Sequence, residues 1–219
     1  MKADLHIHSN YSPDSIAKPE SILAAAADRG IQLIAVTDHD TCDGWHAFEG
    51  LKNRYPVQII YGQEIKIIKD ESNAGELLCL FLKKFLKSTS VTDIVAEVAS
   101  QNGVVSIAHP FSQRRTEFRG FCDIKVWNSL AIEVLNGRSY KQSDNEMARN
   151  LAHRLNCPIT AGSDAHTPFE VGKCYLEFSG RTADDLKKAI LNHQVQAVGD
   201  PSSMLFSVLS GFGRLGLAI

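Results

Sequence analysis

Short apolar segments alternate with longer amphipathic ones, and this order predicts an α/β fold. The apolar segments, such as residues 31–36 and 104–108, are too short for helices and lack polar alternation, which is typical of parallel strands covered on both faces. An open doubly wound sheet and a closed barrel both fit this order. Side chains of metal-binding type follow nearly every apolar segment, and a barrel gathers all strand ends at one rim. We therefore expect a TIM-like barrel of about seven strands.

The individual elements are placed by their flanking residues. Pro19 is suited to the first turn of a helix that Gly30 ends, and Ser90 or Thr92 caps a helix that Gly103 closes. A polar stretch at residues 69–75 reads as a turn. The predicted helices cover residues 19–30, 45–53, 92–103, 144–156 and 182–192, and the predicted strands cover residues 3–7, 31–36, 57–61, 77–82, 104–108, 131–135, 158–161 and 195–198.

Length and composition suit one soluble domain. A chain of 219 residues normally forms a single domain, here expected to span residues 1–219, with the apolar segment from about 200 to 219 packed on its body. The net charge of −2 gives no reason to favour nucleic acid as a partner. Five cysteines without a C-x-x-C pair are typical of reduced thiols, so we expect a cytoplasmic protein without a membrane span.

The strongest sign of chemistry is the segment Asp4-Leu5-His6-Ile7-His8. In an extended strand, residues two apart point to the same face, so His6 and His8 can bind one cation. A single His-x-His is weak evidence, but several comparable clusters follow apolar runs later in the chain. They are Asp38-His39-Asp40, Glu64, His109-Pro110, Glu133 and Asp164-Ala165-His166.

Five short motifs occur here in one fixed order: His6-x-His8, Thr37-Asp38-His39-Asp40, Gly62-Gln63-Glu64, Ala108-His109-Pro110 and Gly162-Ser163-Asp164-Ala165-His166. In this order they resemble the PHP superfamily, named for its polymerase and histidinol phosphatase members. The resemblance covers residues 3 to about 175. It implies a distorted barrel of seven strands, up to three metal ions at the C-terminal rim, and hydrolysis of phosphoesters.

The resemblance also implies a ligand set. His6, His8, Glu64 and Asp164 would hold one ion, Asp14, His39 and His166 a second, and Glu64 with His109 a third. Imidazole and carboxylate ligands without thiolate suit Zn, Mn or Fe, so we expect two or three divalent ions. Asp4, Asp38 and Asp40 are expected to accept hydrogen bonds from the metal-binding histidines.

Two further carboxylates are candidate ligands. Many relatives have a histidine before the apolar run that follows the bridging glutamate, whereas this chain has Glu76 there. A carboxylate still binds a hard cation, but the third site is then weak or takes a different metal. Glu133 also ends a predicted strand, as a ligand or as a hydrogen-bond partner of one.

The expected chemistry is attack by a water that loses its proton between two cations. We group His39, His166 and Asp164 as catalytic, with His39 or His166, when not fully coordinated to a metal, as the donor of a proton to the leaving oxygen. The planar guanidinium groups of Arg114, Arg115 and Arg138 are candidates for holding phosphate oxygens, with Lys66 a weaker one.

The preferred interpretation is a phosphoesterase for a small phosphorylated molecule or nucleotide. A nuclease that acts on DNA or RNA ends is an alternative, and it would need a basic groove beside the metals. A metal-binding regulatory module without catalysis, or an enzyme that hydrolyses a C–N bond at a similar site, also fits the residues. The sequence leaves metal identity, natural substrate and oligomeric state open.

Overall fold

A computed structural model describes residues 1–69, 72–112 and 130–201 of the chain. Within these ranges one sheet carries nine strands, and five α-helices connect them. The strands are β1 Lys2–Ile7, β2 Leu33–Val36, β3 Gln58–Lys69, β4 Ser72–Leu80, β5 Val104–Ile107, β6 Leu130–Asn136, β7 Ile159–Gly162, β8 Cys174–Phe178 and β9 Val195–Gly199. The helices are α1 Pro19–Asp28, α2 Trp45–Leu51, α3 Val91–Ser100, α4 Gln142–Leu155 and α5 Ala183–Leu191.

The sheet curls into a nearly closed barrel. Its strand order is β7-β6-β5-β4-β3-β2-β1-β8-β9. A parallel bridge between Ile7 and Ala165 joins the end of β1 to the residue that follows β7 by three positions, so the first seven strands come round on themselves. The expected barrel is confirmed, but the sheet has nine strands rather than seven.

The two additional strands are antiparallel ones attached to β1. β8 pairs with β1, where Lys2 faces Glu177, and β9 pairs with β8. The sequence analysis found the segment of β9 but missed β8. Side chains of β8 alternate between buried and half-buried, which is the pattern of a strand with one covered face, not of the continuous apolar runs that mark the other strands.

The sheet is also not wholly parallel, contrary to the expectation from strand and helix alternation. β4 runs antiparallel to both β3 and β5. The predicted turn at residues 69–75 is too long, because β3 extends to Lys69 and β4 starts at Ser72. A connection this short cannot hold a crossover helix, so the two strands form a hairpin. The reversal matters for the rim, because it brings the beginning of β4 beside the ends of β3 and β5.

Apolar side chains fill both faces of the strands. Leu5, Ala35, Leu78 and Leu135 belong to an inner cluster, whereas Ile94 of α3 packs in an outer cluster. A further outer cluster joins α1 and α2 to β2. All four residues of β2 and of β5 are buried, as expected for short strands covered on two sides. The rim is thereby held by strands that cannot shift without opening a core.

No helix in the part of the chain that the structure describes is long and apolar enough to cross a bilayer. The expected position of the C-terminal segment lies almost entirely outside the described residues.

Closure of the barrel depends on a close approach between Gly162 and β1. A Cβ atom added to Gly162 would lie 2.4 Å from the Cβ and 2.5 Å from the backbone N of His6. Gly162→Ala must therefore push β7 away from β1, and we expect it to lower the free energy of unfolding by about 1–3 kcal/mol. Chemical denaturation measures this loss.

Gly50→Ala is the matched control, because a Cβ at that helical position meets nothing within 4 Å. It should leave stability equal or raise it by up to about 1 kcal/mol. Equal stability of the two variants would contradict the close contact at the seam.

Candidate metal centre

The predicted metal-binding side chains meet at the rim formed by the ends of β1, β2, β5 and β7 and by the middle of β3. The Ile7–Ala165 bridge sets the two histidines of β1 beside the loop after β7, and a second parallel bridge joins His39 to Glu64. His6, His8, Glu64, Asp164 and His166 are fully buried. His39 and Asp14 retain 10% and 27% side-chain exposure, so they form the solvent edge of the cluster.

Glu64 lies at the middle of the cluster. Its Oε2 atom is 3.3 Å from Nε2 of His6, 3.1 Å from Nε2 of His8 and 3.2 Å from Nδ1 of His39. Oε1 is 2.9 Å from Nε2 of His109. Oε2 is buried and has no hydrogen bond of good geometry with any described residue. A buried oxygen surrounded by ring nitrogens in this way is suited to bridging cations.

His6 and His8 present ring nitrogens to one another. Nδ1 of His6 lies 2.9 Å from Oε1 of Glu133, which fixes the proton on Nδ1 and leaves a lone pair on Nε2. Nδ1 of His8 faces the Ser12 hydroxyl at 3.3 Å. The two Nε2 atoms are only 3.0 Å apart. Without metal, Nε2 of His8 can donate a hydrogen to this lone pair, and a cation beside both nitrogens would take the place of that hydrogen.

A similar arrangement occurs at the solvent edge. The Nδ1 hydrogen of His166 is donated to the backbone O of Asp164 over 2.8 Å, because a carbonyl can only accept. The Nε2 lone pair therefore faces Oδ2 of Asp14 at 3.2 Å, and Nε2 of His39 is 3.7 Å from the same oxygen. Asp14, His39 and His166 therefore form a second candidate position for a cation.

His109 and Glu76 complete a third corner. Nε2 of His109 is 3.4 Å from Oε2 of Glu76, and both side chains are buried. Glu76 lies at the middle of β4, opposite Lys66 of β3, and its side chain reaches the rim. This corner therefore contains two carboxylates, those of Glu64 and Glu76, and one imidazole, that of His109.

Electrostatics of the cluster favour positive charge. Burial alone would lower the pKa of His6 and of His8, but neighbouring carboxylates outweigh it. Asp164 and Glu64 raise the pKa of His8 to about 9, and with Glu133 they raise the pKa of His6 well above its ordinary value. Burial would raise the pKa of Glu64, yet the adjacent imidazoles hold it well below its ordinary value. The buried carboxylates are therefore anionic and attract cations.

Two site residues adopt left-handed backbone conformations. φ is 54° at Asp164 and 26° at His109, and Asp40 in the loop after β2 has φ 52°. Such conformations cost roughly 1–3 kcal/mol each for residues other than glycine and persist only where surrounding contacts hold them. Both turns point their side chains into the cluster, so the strain is linked to the site.

The three aspartates expected to support the histidine rings do something else. Asp4 accepts hydrogen bonds from the backbone N of Ser163 and of Gly172, both at 2.8 Å. Asp38 accepts from N and Oγ of Ser9, at 2.6 and 2.7 Å. Burial raises the pKa of each of these two carboxyls to about 6. They fix the backbone of the rim loops, and the prediction of ring contacts was wrong.

Asp40 likewise accepts from the backbone N of Lys66, at 3.3 Å. Glu133 is the carboxylate that supports a ring. Besides His6, it accepts from the backbone N of His109 at 2.8 Å and from Nδ2 of Asn136 at 3.0 Å. Both of its oxygens accept hydrogen bonds at the back of the cluster. This arrangement favours Glu133 as the hydrogen-bond partner of a metal ligand over Glu133 as a ligand itself.

Sequence reasoning missed several supporting residues. Asn136 donates to Glu133 and, over 3.0 Å, to Asp164. Ser12 accepts from the backbone N of His39 at 2.9 Å. Glu170 is buried and accepts three hydrogen bonds of 3.0 Å from the backbone N atoms of His166 and Thr167 and the Thr167 hydroxyl. The spacing Thr167-x-x-Glu170 is that of a capping box and could have revealed it.

Of the predicted phosphate-binding arginines, the structure describes Arg138 alone. Its side chain is 8% exposed, and Nε is 3.5 Å from Oε1 of Glu170, whose other oxygen accepts from the backbone N of His166. Burial, His8 and the positive charge of Arg138 lower the pKa of His166 to about 3. Arg114 and Arg115 fall outside the described residues.

The side chains present fit divalent ions. Potential ligand atoms lie within 4.8 Å of one another in four groups, formed by His6 with His8 and Asp164, His6 with Glu64 and His109, His8 with His39 and His166, and His39 with Glu64 and Glu76. The donors are nitrogen and oxygen without sulfur, a set that suits Zn, Mn or Fe. The clustered lone pairs and the buried Glu64 oxygen support the same interpretation.

Comparison with known families agrees with this geometry. The family model described as the PHP domain matches residues 4–134, which is more than half of the chain. The chain belongs to the PHP domain family. A second model, described as PHP-associated, matches residues 142–195.

Relatives of this PHP chain include proteins of several sizes. An uncharacterised protein of Methanocaldococcus jannaschii, MJ1587, is 34% identical over 51% of this chain and 69% of its own length. The probable phosphatase YcdX of Escherichia coli is 27% identical over 78% of this chain and 80% of its own. DNA polymerase III PolC-type of Listeria welshimeri is 26% identical, but the match covers 12% of that protein.

Solved structures share the fold. A two-domain protein from Bacteroides vulgatus, described as containing a PHP-like metal-dependent phosphoesterase, superposes with a TM-score of 0.74 at 18% identity. The match covers 91% of this chain and 65% of that one, so this chain spans less than two thirds of it. PsfC from Pseudomonas syringae gives a TM-score of 0.69 at 22% identity over 98% of both chains.

The contact between Glu133 and His6 predicts an effect on metal affinity. Glu133→Gln removes the negative charge that fixes the His6 tautomer and places an amide NH₂ group among hydrogen-bond donors. We expect metal affinity to fall about 10–100-fold, as is usual for supporting carboxylates. Competition with a coloured chelator measures it. Glu20→Gln, at a half-exposed glutamate on α1 that pairs with Arg54, is the control, and equal affinity of both variants would disprove the coupling.

Removal of metal should lower thermal stability. The cluster gathers buried like-charged oxygens and unprotonated nitrogens that a cation holds together. Binding at about 100 times Kd adds about 2.7 kcal/mol, equivalent to roughly 5–10 °C in Tm for a chain of this size. A thermal melt with a chelator and after returning Zn or Mn tests this. A melting temperature that responds to neither treatment would speak against a metal centre.

Proposed function

We propose that this protein is a metal-dependent phosphoesterase that acts on a small phosphorylated molecule or a nucleotide. The observation that carries the proposal is the bridging position of the buried Glu64 carboxylate among four histidines, two at the end of β1 and one each after β2 and β5. Membership of the PHP family and the similarity to a probable phosphatase support the reaction class.

Two or three divalent ions would be held by the cluster. His6, His8, Glu64 and Asp164 would bind one, Asp14, His39 and His166 another, and Glu64, His109 and Glu76 a third. When bound, the ions supply Lewis acidity, which lowers the pKa of water and offsets the charge of phosphate oxygens. Glu133 would orient the ring of His6 through its hydrogen bond to Nδ1 and would not coordinate a metal ion itself.

The chain's own residues would bind and orient the substrate. The guanidinium of Arg138, held by Glu170 beside the rim, is suited to a non-reacting phosphate oxygen. Arg114 and Arg115 remain candidates from the sequence. Of the two histidines considered as proton donors, His39 keeps partial exposure at the entrance, whereas His166 is fully buried against Asp14. His39 is therefore the better placed of the two for protonating a leaving oxygen in a state in which it does not coordinate a metal ion.

A second candidate reaction is hydrolysis of a C–N bond. One solved structure with the same fold, a TM-score of 0.65 and 18% identity, is described as an amidohydrolase from Chromobacterium violaceum with bound sulfate. Carboxylate-bridged metal centres suit both reactions, because each needs an activated water and a polarised oxygen. A nuclease and a regulatory module without catalysis are the remaining alternatives.

Hydrolysis assays separate these functions. We expect 4-nitrophenyl phosphate to be hydrolysed after addition of Mn or Zn and 4-nitroacetanilide to be left intact. His8→Asn and Asp164→Asn should each reduce the rate at least about 100-fold, the size usual for a group that stabilises the transition state. Circular dichroism should be unchanged in the metal-free state.

His153→Asn is a matched control, since that histidine is exposed on α4. Cleavage of the anilide alone would replace the proposed reaction with C–N hydrolysis. Metal binding without either activity would favour the regulatory module, and cleavage confined to oligonucleotide ends would favour the nuclease.

A further inference from the structure

A pocket of about 470 Å³ lies at the outer edge of β3, next to the metal centre. One side is formed by β3 and the loop after β2, and the other by residues 85–89. Asp40, which follows the ligand candidate His39, and Gln63, which precedes Glu64, both line it. Its volume falls within the range of small-molecule sites.

The pocket contains a buried hydrogen-bond donor that has no partner. Gln63 is fully buried, and its Oε1 accepts from the backbone N of Leu86 at 2.7 Å. This bond fixes the orientation of the amide, because only the oxygen can accept. The Nε2 group then has no hydrogen bond with any described residue. An unmatched buried donor costs roughly 1–3 kcal/mol, so an oxygen atom is expected at this point.

The other side chains that line the pocket indicate which chemical group contains that oxygen. Lys66 and Lys87 contribute two positive charges and Asp40 one negative charge, so the pocket has a net positive charge. Ile68 and Phe85 are 50% and 39% exposed, unusually high for large apolar side chains. Their surface suits an apolar group, and the donor with the two ammonium groups suits a carboxylate.

The pocket adjoins the metal centre through residues that neighbour candidate ligands in the chain, Asp40 after His39 and Gln63 before Glu64. Lys66 lies on the same face of β3 as Glu64, two residues further on, and its register partner on β4 is Glu76. Gln63 lies on the opposite face, so the pocket wraps round the strand edge beside the metal ligands. A phosphoester held at the metals can therefore extend past Lys66 into the pocket.

We propose that this pocket, hereafter the β3 pocket, binds the non-phosphate end of the substrate and selects an apolar group that bears a carboxylate. The inference rests on the proposed phosphoesterase function and names the substrate class for the same site. Gln63 donates to one carboxylate oxygen, Lys87 and Lys66 neutralise the charge, and Phe85 with Ile68 contacts the apolar body.

Two matched probes test the selection. Phenyl phosphate and 4-carboxyphenyl phosphate differ by one carboxylate, and phenylphosphonate with 4-carboxyphenylphosphonate is the corresponding pair that cannot be hydrolysed at oxygen. We expect the metal-loaded protein to prefer the carboxylated member of each pair at least about tenfold, in KM for the esters and in Kd for the phosphonates. This is the change expected from one charge-assisted hydrogen bond.

Gln63→Met removes the donor at similar side-chain volume without adding a charge beside Glu64, and Lys87→Ala alters an exposed side chain that cannot disturb the core. Each should reduce the preference to about threefold or less, with kcat for phenyl phosphate unchanged. Lys84→Ala is the control, because this lysine belongs to the same basic run but does not line the pocket. It should leave the preference intact.

The outcomes are distinct. Hydrolysis of both esters without a preference for the carboxylate, or a preference that survives both pocket variants, overturns the inference while the proposed function stands. Failure to hydrolyse either ester, together with failure to bind either phosphonate, overturns the proposed function and with it the role of the β3 pocket.

Discussion

The rim of the barrel depends on one buried carboxylate, Glu64, and on the positive charge needed to keep it there. One oxygen is surrounded by ring nitrogens of His6, His8 and His39, and the other faces His109. An ion buried in this way is costly unless it is paired, and a set of neutral imidazoles does not pair it. Protons or metal ions must supply the balance, and the Nε2 atoms of His6 and His8, 3.0 Å apart, are placed to share either one.

A supporting frame holds these side chains against their mutual repulsion. Asp4 and Asp38 bind the backbone of neighbouring rim loops, and Glu170 does the same for the loop that carries His166. Glu133 differs from them because it contacts a ring nitrogen and a backbone N–H together. Positioning by backbone contacts makes the site rigid in advance, so binding of metal would require little rearrangement.

Glu76 gives this chain a centre with its own chemistry. It lies at the middle of β4, which places its Oε2 atom within 3.4 Å of Nε2 of His109. The corner it forms is richer in oxygen than the one at His39 and His166. Oxygen donors favour harder cations and imidazole favours Zn, so the proposed positions differ in the metals they suit.

The order of metal-type motifs in the sequence determined the family and most of the site. His-x-His on a strand and acids or histidines after later strands predict a shared rim, because parallel strands of a barrel end on one side. Eight of the nine strands and all five helices of the described residues were also marked by their apolar spacing and flanking residues. These are local properties, and local sequence is enough to encode them.

Only the tertiary structure decided the matters that depend on contacts between distant segments. The direction of β4 and the pairing of β8 with β1 follow from which edges come together, and hydrophobic pattern alone does not encode that choice. The sequence pattern also does not encode the hydrogen bond of Glu133 with Nδ1 of His6, the one between Asp4 and the backbone N of Gly172, or the unpaired Nε2 group of Gln63. Each depends on the position of a partner far along the chain, which exists only after the barrel has closed.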